Sequence, residues 1–328
     1  MQRPRFLLAG LVVAGVMGAV MVMLMSSEHL EENIDDESRP QVRPPAVEGA
    51  FYPSDSSELA GMVSGFLEQA EKDGEAGELV ALIVPHAGYV FSGAVAGEAY
   101  RQIAGRRYDT VAVVGPSHRE AFRGFALSGA DEWETPLGKA RLDTDARDEL
   151  MSLQAGFQVR DSAHAREHSI ETQVPFLQKT LPEARLLPIL MFDSLLPVAT
   201  VLGEVLADYA RERSVLLIAS TDMSHYPSYE DAVRVDGKVL EAITRMDAAA
   251  LEAKTEKMML EDVAGLKTCL CGEGPVKAVL VAAGALGAQE ARVLRYANSG
   301  DVPGAPKDRV VGYCAVAIYR SSGAVEEG

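Results

Sequence analysis

The sequence has few cysteines and a shortage of basic residues. Its 328 residues include three cysteines, too few for the disulfide framework that stabilises small secreted proteins. The 48 aspartates and glutamates outnumber the 31 lysines and arginines, which gives a formal net charge of −17. A nucleic-acid-binding protein needs a basic surface that releases counterions, so the composition argues against a nucleic-acid partner.

Three common enzyme motifs are also absent. The chain has no G-x-S-x-G elbow, no phosphate-binding P-loop and no G-x-G-x-x-G dinucleotide motif, so serine hydrolases, nucleotide hydrolases and dinucleotide enzymes lack their usual signatures here. What the chain does contain is 48% hydrophobic and 24% charged residues, a composition typical of a globular protein. Its length accommodates one large α/β domain or two smaller domains.

The amino-terminal segment has the pattern of a membrane anchor. Arg3 and Arg5 precede the uncharged run Phe6–Met25, which as a helix would span about 30 Å. A cleavable signal peptide is the alternative, but it would have a shorter apolar stretch and a small-residue cleavage site. Basic residues stay on the cytoplasmic side, so the pattern predicts a single pass through the cytoplasmic membrane, with the soluble domain outside the cytoplasm.

These patterns divide the chain into four parts. Residues 1–25 are the predicted transmembrane anchor with its short basic amino terminus, and residues 26–45 are an acidic, proline-bearing tether. Residues 46–321 are the predicted folded domain, and residues 322–328 are a flexible tail. We find no internal repeat within the folded part, so we expect one domain.

Short apolar runs alternate with longer helical patterns across the folded part. The strand candidates are Leu79–Val84, Thr110–Val114, Arg185–Met191, Val215–Ala219, Arg292–Ala297 and Val310–Tyr319. The helix candidates are Ser57–Glu71, Ser92–Ile103, Thr144–Leu153, Pro197–Tyr209, Tyr229–Arg245, Ala248–Lys254 and Gly274–Leu286. This alternation predicts a single α/β domain whose central, mainly parallel sheet is flanked by helices.

Histidines follow three of the predicted strands. His86, His118 and His225 each lie a few residues beyond the carboxyl end of a strand. Because ligands of open α/β sheets bind outside the carboxyl ends of the strands, we expect these side chains to converge. Neutral imidazole is a common ligand for zinc, copper and iron. A lone histidine in such a loop more often bonds to the backbone, but three at one edge favour a metal site.

A cysteine provides the candidate thiolate ligand. Cys271 precedes a predicted apolar helix, where amide groups and the helix dipole would lower the pKa of a thiol. Cys269 is its competitor, and an inert buried thiol is the alternative for either residue. Cys314 lies inside an apolar strand and is expected to belong to the core.

A second cluster follows the spacing H-x-x-E-H, the inverted zinc-protease motif. Its members are His164, Glu167 and His168, with Glu171 three residues further on. A pattern of five residues arises often by chance, and Pro175 follows soon after, so the match is weak. The alternatives are a solvated loop for His164 and a helix-capping pair for His168 and Glu171.

The ordered motifs resemble those of one family, the Memo family, also called AmmeMemoRadiSam system protein B. The resemblance covers nearly all of Arg43 to Arg320. The motifs are Ala50-Phe51-Tyr52-Pro53, Pro85-His86-Ala87-Gly88-Tyr89, Gly115-Pro116-Ser117-His118, Thr135-Pro136-Leu137-Gly138, Glu167-His168-Ser169-Ile170-Glu171, Ser220 to His225, Cys271-Gly272 and Asn298-Ser299-Gly300-Asp301.

The resemblance implies a fold similar to class III extradiol dioxygenases, which are non-haem iron enzymes. It implies that His86, His118 and Cys271 bind the metal, while His225 and its acidic neighbour Asp222 complete the pocket. The dioxygenases have a carboxylate where this chain has a thiol, and thiolate shifts the preference toward copper or zinc. The expected cofactor is therefore iron or copper, with zinc possible. The resemblance also implies a functional link to AMMECR1-like and radical SAM proteins.

The leading hypothesis is a membrane-anchored, metal-dependent oxidoreductase acting on an unknown small molecule. His225, oriented by Asp222, would transfer protons, and His168 and Glu171 would hold the ligands in place through hydrogen bonds. The alternative is a non-catalytic module that binds a metal or a peptide in the same pocket. A third hypothesis is a zinc hydrolase that uses the H-x-x-E-H cluster.

Overall fold

The structure is a computed structural model in which residues 41–74 and 77–320 are described. The strands are β1 Val42–Arg43, β2 Glu78–Val84, β3 Thr110–Pro116, β4 Phe125–Leu127, β5 Glu132–Thr135, β6 Gly138–Arg141, β7 Phe157–Val159, β8 Arg185–Met191, β9 Val215–Ser220, β10 Ala288–Asn298 and β11 Gly312–Arg320. The α-helices are α1 Ser56–Gln69, α2 Tyr89–Ile103, α3 Thr144–Ser152, α4 Asp161–His164, α5 Val174–Thr180, α6 Leu196–Ala210, α7 Tyr229–Thr244, α8 Ala248–Leu260 and α9 Glu273–Ala285.

An eight-stranded sheet forms the centre of the molecule, in the order β10-β11-β2-β9-β3-β8-β4-β7. The middle strands β2, β9, β3 and β8 are parallel to one another. The antiparallel pairs are β10 with β11, β11 with β2, and β4 with β8. A separate small sheet has the order β1-β5-β6. The mixed α/β fold with a helix-flanked sheet agrees with the sequence prediction.

The central strands are apolar along their whole length because both faces of the sheet are covered. Alternate side chains of β2 belong to two different cores: Ala81 and Ile83 to one, and Leu82 and Val84 to the other. Helices α6, α7 and α9 pack on the first face, and α1, α2 and α5 on the second. The sheet therefore holds its loops at a fixed edge between two packed helical layers.

Side-chain caps define where several helices begin. Asp55 accepts a hydrogen bond from the backbone of Glu58 at the start of α1, and Ser228 accepts one from Asp231 at the start of α7. Asp247 accepts two backbone hydrogen bonds at the start of α8. These caps satisfy amides that the first helical turn leaves without partners.

Helix α2 approaches α1 closely because two glycines face Phe66. A Cβ atom on Gly97 would lie 2.8 Å from the carbonyl oxygen of Phe66, and one on Gly93 would lie 2.3 Å from its ring. Real Cβ atoms do not approach other atoms so closely, so only glycine allows this contact. The close packing fixes the start of α2, which directly follows the loop that carries His86.

The prediction of a transmembrane helix as part of the fold is wrong for the described structure. Among residues 41–74 and 77–320, no helix is both long and apolar enough to cross a membrane. The predicted anchor, residues 1–25, lies outside the described residues, as do the tail, 322–328, and most of the tether. The prediction rested on the length of an uncharged run. Such a run measures the hydrophobicity of a segment and does not by itself show that the segment crosses a membrane. The single-pass, extracytoplasmic localisation that depended on it is withdrawn.

The folded part begins before residue 46. Strand β1, Val42–Arg43, pairs with β5 and lies inside the range 26–45 that the sequence analysis assigned to the tether. The Arg43 side chain is buried, stacks over the Trp133 ring at 4.2 Å and forms an ion pair with Glu171 at 2.7 Å. A buried, paired arginine anchors this segment to the domain.

Candidate metal centre

Three of the four central parallel strands end at the candidate site. His86 follows β2, His118 follows β3, and Asp222 and His225 follow β9, which lies between these two strands in the sheet. Parallel neighbours present their carboxyl ends at the same edge, so the following loops meet there. Cys271 reaches this edge from the loop before α9.

Two histidines and one cysteine come close enough to share a metal ion. One ligand atom from each of His86, His118 and Cys271 lies within 4.8 Å of the other two. The Nε2 atom of His86 lies 3.2 Å from the Sγ atom of Cys271, and the His86 and His118 ring centroids are 5.2 Å apart. Two imidazole nitrogens and a thiol are a donor set that suits copper, zinc or iron.

The loop that carries Cys271 is held tightly against the end of β9. The amide of Cys271 donates to the carbonyl of Asp222 at 3.2 Å, and the amide of Gly272 donates to Thr221 Oγ1 at 2.8 Å. A Cβ atom on Gly272 would lie 2.4 Å from the Ser220 carbonyl oxygen, so this close approach requires glycine. The cysteine is therefore positioned by backbone contacts.

Hydrogen bonds establish which nitrogen of His86 carries its proton. Ser220 Oγ donates to the Ser169 carbonyl at 2.5 Å, and it lies 2.9 Å from His86 Nδ1. Since the hydroxyl has only one proton, His86 Nδ1 must be the donor toward Ser220. The Nε2 atom then keeps its lone pair, which faces Cys271. Burial, together with the neighbouring His168 and His118, holds the pKa of His86 well below its ordinary value, so the ring is neutral.

A buried carboxylate contacts the second histidine. Glu167 Oε1 lies 3.0 Å from His118 Nδ1, and Glu167 Oε2 accepts a hydrogen bond from the His118 amide at 2.6 Å. Burial alone would raise the pKa of this carboxyl, but the His118 hydrogen bond and other contacts lower it to about 2. Glu167 is therefore a carboxylate at neutral pH.

The Cys271 thiol has one backbone donor and a raised pKa. The amide of Asp222 donates to Sγ at 3.2 Å, which favours the thiolate. Burial and the nearby Asp222 carboxyl nevertheless raise the pKa of the thiol above its ordinary value. A cation bound next to the sulfur would supply the positive charge that a thiolate in this position needs.

Asp222 joins the β9 loop to the β2 loop. Its Oδ1 atom accepts hydrogen bonds from the amides of His86 at 2.8 Å and Ala87 at 3.2 Å. Its Oδ2 atom lies 4.0 Å from His86 Nε2. Burial raises the pKa of this carboxyl to about 7, and the hydrogen bonds from His86 and Ala87 offset part of that rise. Asp222 therefore orients the His86 backbone and places a second oxygen beside the ligand atoms.

His225 is held by its own loop. Its amide donates to the Thr268 carbonyl at 3.0 Å, and its Nδ1 atom lies 3.0 Å from the Met223 carbonyl oxygen, which can only accept. The ring therefore has its proton on Nδ1 and a free lone pair on Nε2. Burial lowers its pKa, and the nearby His118 lowers it further.

The comparisons with known proteins agree on one family. The model for Memo-like proteins matches residues 43–317. The chain belongs to the Memo-like family. A MEMO1 family protein of Methanopyrus kandleri is 38% identical over 289 residues, which cover 85% of this chain and 99% of that protein. A MEMO1 family protein of Pyrobaculum arsenaticum is 33% identical, with 85% and 100% covered.

A more distant likeness is to a solved structure. That of an uncharacterized protein from Escherichia coli K12 aligns with 73% of this chain and 99% of its own, at 14% identity and a TM-score of 0.49.

The two residues expected to support the ligands lie in different places in this Memo-like protein. The His168 ring stacks on His118, with centroids 4.8 Å apart and an interplanar angle of 17°. Glu171 points instead toward the amino-terminal segment, where its carboxylate pairs with Arg43 and accepts from Tyr52 Oη at 2.6 Å. Glu171 therefore anchors that segment, and the structure gives it no contact with the three ligand residues.

The H-x-x-E-H cluster does not form a three-residue site in the described Memo-like domain. His164 is buried, and its Nε2 atom lies 3.1 Å from the Ala126 carbonyl oxygen. Burial lowers its pKa to about 4. Glu167 and His168 instead group with His118, with one ligand atom from each within 4.8 Å of the others. The His164 side chain is thus not part of the group that Glu167 and His168 form.

Two residues that contact the candidate ligand residues were not predicted from the sequence. Ser220 is the last residue of β9, and Glu167 was considered only as part of the hydrolase motif. Their positions near strand ends and within the Glu167-His168-Ser169 motif were the available signals. Neither of these sequence positions indicates which side chain faces His86 or His118.

Proposed function

We propose that this Memo-like protein binds one iron or copper ion through His86, His118 and Cys271 and uses it in a redox reaction of a small molecule. The observation that carries the proposal is the convergence of three donor atoms within 4.8 Å of one another. They come from three separate loops at one edge of the sheet. When bound, such a metal supplies redox chemistry that protein side chains lack.

The donor chemistry supports a transition metal. Two histidines with a cysteine match the combination found in copper electron-transfer proteins, whereas iron oxygenases use two histidines and a carboxylate. Asp222 Oδ2, at 4.0 Å from His86 Nε2, is the nearest described carboxylate oxygen to that ligand atom. Copper and iron are therefore both compatible with the residues present, and zinc is the redox-inactive alternative.

His225 and Asp222 are the proposed groups for proton transfer and orientation. The hydrogen bond from His225 Nδ1 to the Met223 carbonyl leaves Nε2 free to accept a proton. Asp222 holds the His86 backbone and extends its second oxygen toward the ligands. A proton acceptor beside a redox metal suits a reaction in which electrons and protons move together.

A non-catalytic binding module is the second candidate function. Large apolar side chains are exposed on segments next to the site: Phe91 is 45% exposed in the first turn of α2, and Phe192 is 54% exposed directly after β8. Tyr226, next to His225, is 38% exposed. Exposed apolar groups on segments that flank the site favour a partner with apolar side chains, such as a peptide.

Turnover separates the two functions. The full chain is loaded with copper or iron, and oxygen uptake is measured with ascorbate as the electron donor, for the wild type and His225→Ala at equal metal content. The enzyme hypothesis predicts metal-dependent uptake that falls by about 100-fold or more in the variant. Full metal retention without oxygen uptake would favour the binding module.

A further inference from the structure

We infer that Glu167 is a positioning residue that locks His118 in the tautomer with its proton on Nδ1, so that Nε2 is free to bind the metal. The metal-binding part of this inference rests on the proposed function. The tautomer itself is a property of the protein without metal. The two parts can therefore be tested separately.

The Glu167 carboxylate is surrounded by nitrogen donors. Its Oε2 atom accepts from the His118 amide at 2.6 Å, and its Oε1 atom accepts from the amides of His168 at 2.9 Å and Ser169 at 3.0 Å. The side chain is only 2% exposed. Because both oxygens accept hydrogen bonds from backbone N–H groups, the ionised carboxylate is favoured, and the group acts as an acceptor.

This acceptor determines the state of the His118 ring. Its Nδ1 atom lies 3.0 Å from Glu167 Oε1, a distance at which two lone pairs would repel each other. The contact is favourable only when Nδ1 carries a proton and donates it. A neutral imidazole has one N–H group, so the lone pair is left on Nε2. A carboxylate partner also fixes the orientation of the ring.

The isosteric amide cannot replace the carboxylate. In Glu167→Gln, one of the two carboxyl positions becomes an NH2 group, which donates. If that NH2 group lies at the Oε2 position, it faces the amide N–H of His118, which is also a donor. If it lies at the Oε1 position, it faces the amide N–H groups of His168 and Ser169, which are donors as well. In the second arrangement His118 Nδ1 becomes an acceptor, and its proton moves to the nitrogen that would bind the metal.

Glu171 provides a matched control. It is four residues away, its side chain is 1% exposed, and it binds Arg43 and the amides of Ala46 and Val47. Its described contacts do not include His86, His118 or Cys271. If Glu167 only held loops together, its substitution would have the same effect on the His118 tautomer and on metal affinity as that of Glu171. If Glu167 sets the tautomer, the two substitutions would have different effects.

The first test reads the tautomer directly. The full chain is labelled with 15N in its histidines, kept free of metal, and studied by two-bond 1H–15N correlation spectroscopy. The wild type and Glu171→Gln are expected to show His118 protonated on Nδ1 alone, and Glu167→Gln is expected to lose this single state, with part of the His118 population protonated on Nε2. Protonation of His118 on Nε2 in the wild type would overturn the inference whether or not the variant folds.

The second test measures affinity for Zn²⁺, used as a redox-inactive probe, by competition with a chromophoric chelator. Glu167→Gln should bind Zn²⁺ about 10- to 100-fold more weakly than the wild type, and Glu171→Gln should remain close to the wild type. Equal losses in both variants would reduce Glu167 to a structural role. A wild type with the expected tautomer that binds neither Zn²⁺ nor Cu²⁺ would contradict the proposed function and leave the tautomer assignment intact.

Discussion

His86 Nε2 and Cys271 Sγ lie 3.2 Å apart although 185 residues separate them in the chain. The first follows β2 and the second precedes α9, so only the folded domain brings the two atoms together. An unfolded chain cannot offer this pair to a metal. If this pair binds a metal as proposed, metal binding would be coupled to folding.

Metal removal is expected to destabilise the domain. A ligand that binds only the folded state adds about 3 kcal/mol to the free energy of unfolding when its free concentration is roughly 100 times its Kd. Urea unfolding of the full chain, with and without a chelator, measures this difference. Cys271→Ser should lose the metal-dependent part, and an equal difference in that variant would show that the metal binds elsewhere.

Ser220→Ala is expected to weaken both the fold and the metal site. The change removes the acceptor of the His86 Nδ1 proton and the donor to the Ser169 carbonyl. Leaving such buried groups unpaired costs about 1–3 kcal/mol, and loss of a group that orients a ligand lowers metal affinity about 10- to 100-fold.

Denaturant unfolding and metal titration measure these two effects of Ser220→Ala. The control is Ser152→Ala, which changes an exposed hydroxyl at the end of α3. Ser220→Ala behaviour indistinguishable from this control would contradict the assignment of the His86 tautomer.

Asp236 is expected to make stability depend on pH. Its carboxyl accepts from the Ser224 amide at 2.9 Å and from Tyr296 Oη at 2.8 Å, and burial raises its pKa to about 6 from 3.8. Because the folded-state pKa is the higher one, its stabilising contribution is complete below pH 3.8 and is lost as the pH rises through 6.

Asp236→Asn removes this titration. The free energy of unfolding of the variant, relative to the wild type, should therefore increase by about 2 kcal/mol between roughly pH 4 and pH 7. Urea unfolding at a series of pH values measures the difference. A difference that stays constant over this range would contradict the raised pKa of Asp236.

Two glycine substitutions should change stability in opposite directions. Gly97→Ala places a Cβ atom 2.8 Å from the Phe66 carbonyl oxygen, and this overpacking should cost about 1–3 kcal/mol. In α1, a Cβ atom on Gly61 would have no other atom within 4 Å, so Gly61→Ala should stabilise the helix by about 0.5–1 kcal/mol. Thermal unfolding of both variants tests the close approach of α1 and α2. An unfolding temperature of Gly97→Ala equal to that of the wild type would contradict this close approach.

Long apolar strands could be predicted from the sequence because burial on both faces produces a continuous signal. Strand β8, Arg185–Met191, has the predicted bounds. Strands β5 and β6 were not predicted, because their segments Glu132–Thr135 and Gly138–Arg141 are short and largely polar. Val42–Arg43 was also missed because two residues beside prolines have no period to detect.

The candidate site, too, could be predicted from the sequence only in part. His86 and His118 could be placed at one edge because strand ends determine where their loops begin. Glu171 was predicted to support the ligands in place of Glu167, since both lie in one short motif beside His168 and local spacing does not separate them. The fold turns Glu167 toward His118 and Glu171 toward Arg43, and this depends on tertiary contacts that local spacing does not encode.

The metal content of the full chain, purified without added metal, tests the central claim most directly. Elemental analysis is made for the wild type, His86→Ala, Cys271→Ser and the control Cys269→Ser, whose buried thiol faces the Thr255 carbonyl. We expect near-stoichiometric iron or copper in the wild type and the control, and its loss from the other two variants. A wild type without metal, or metal retained by both His86→Ala and Cys271→Ser, would contradict the account.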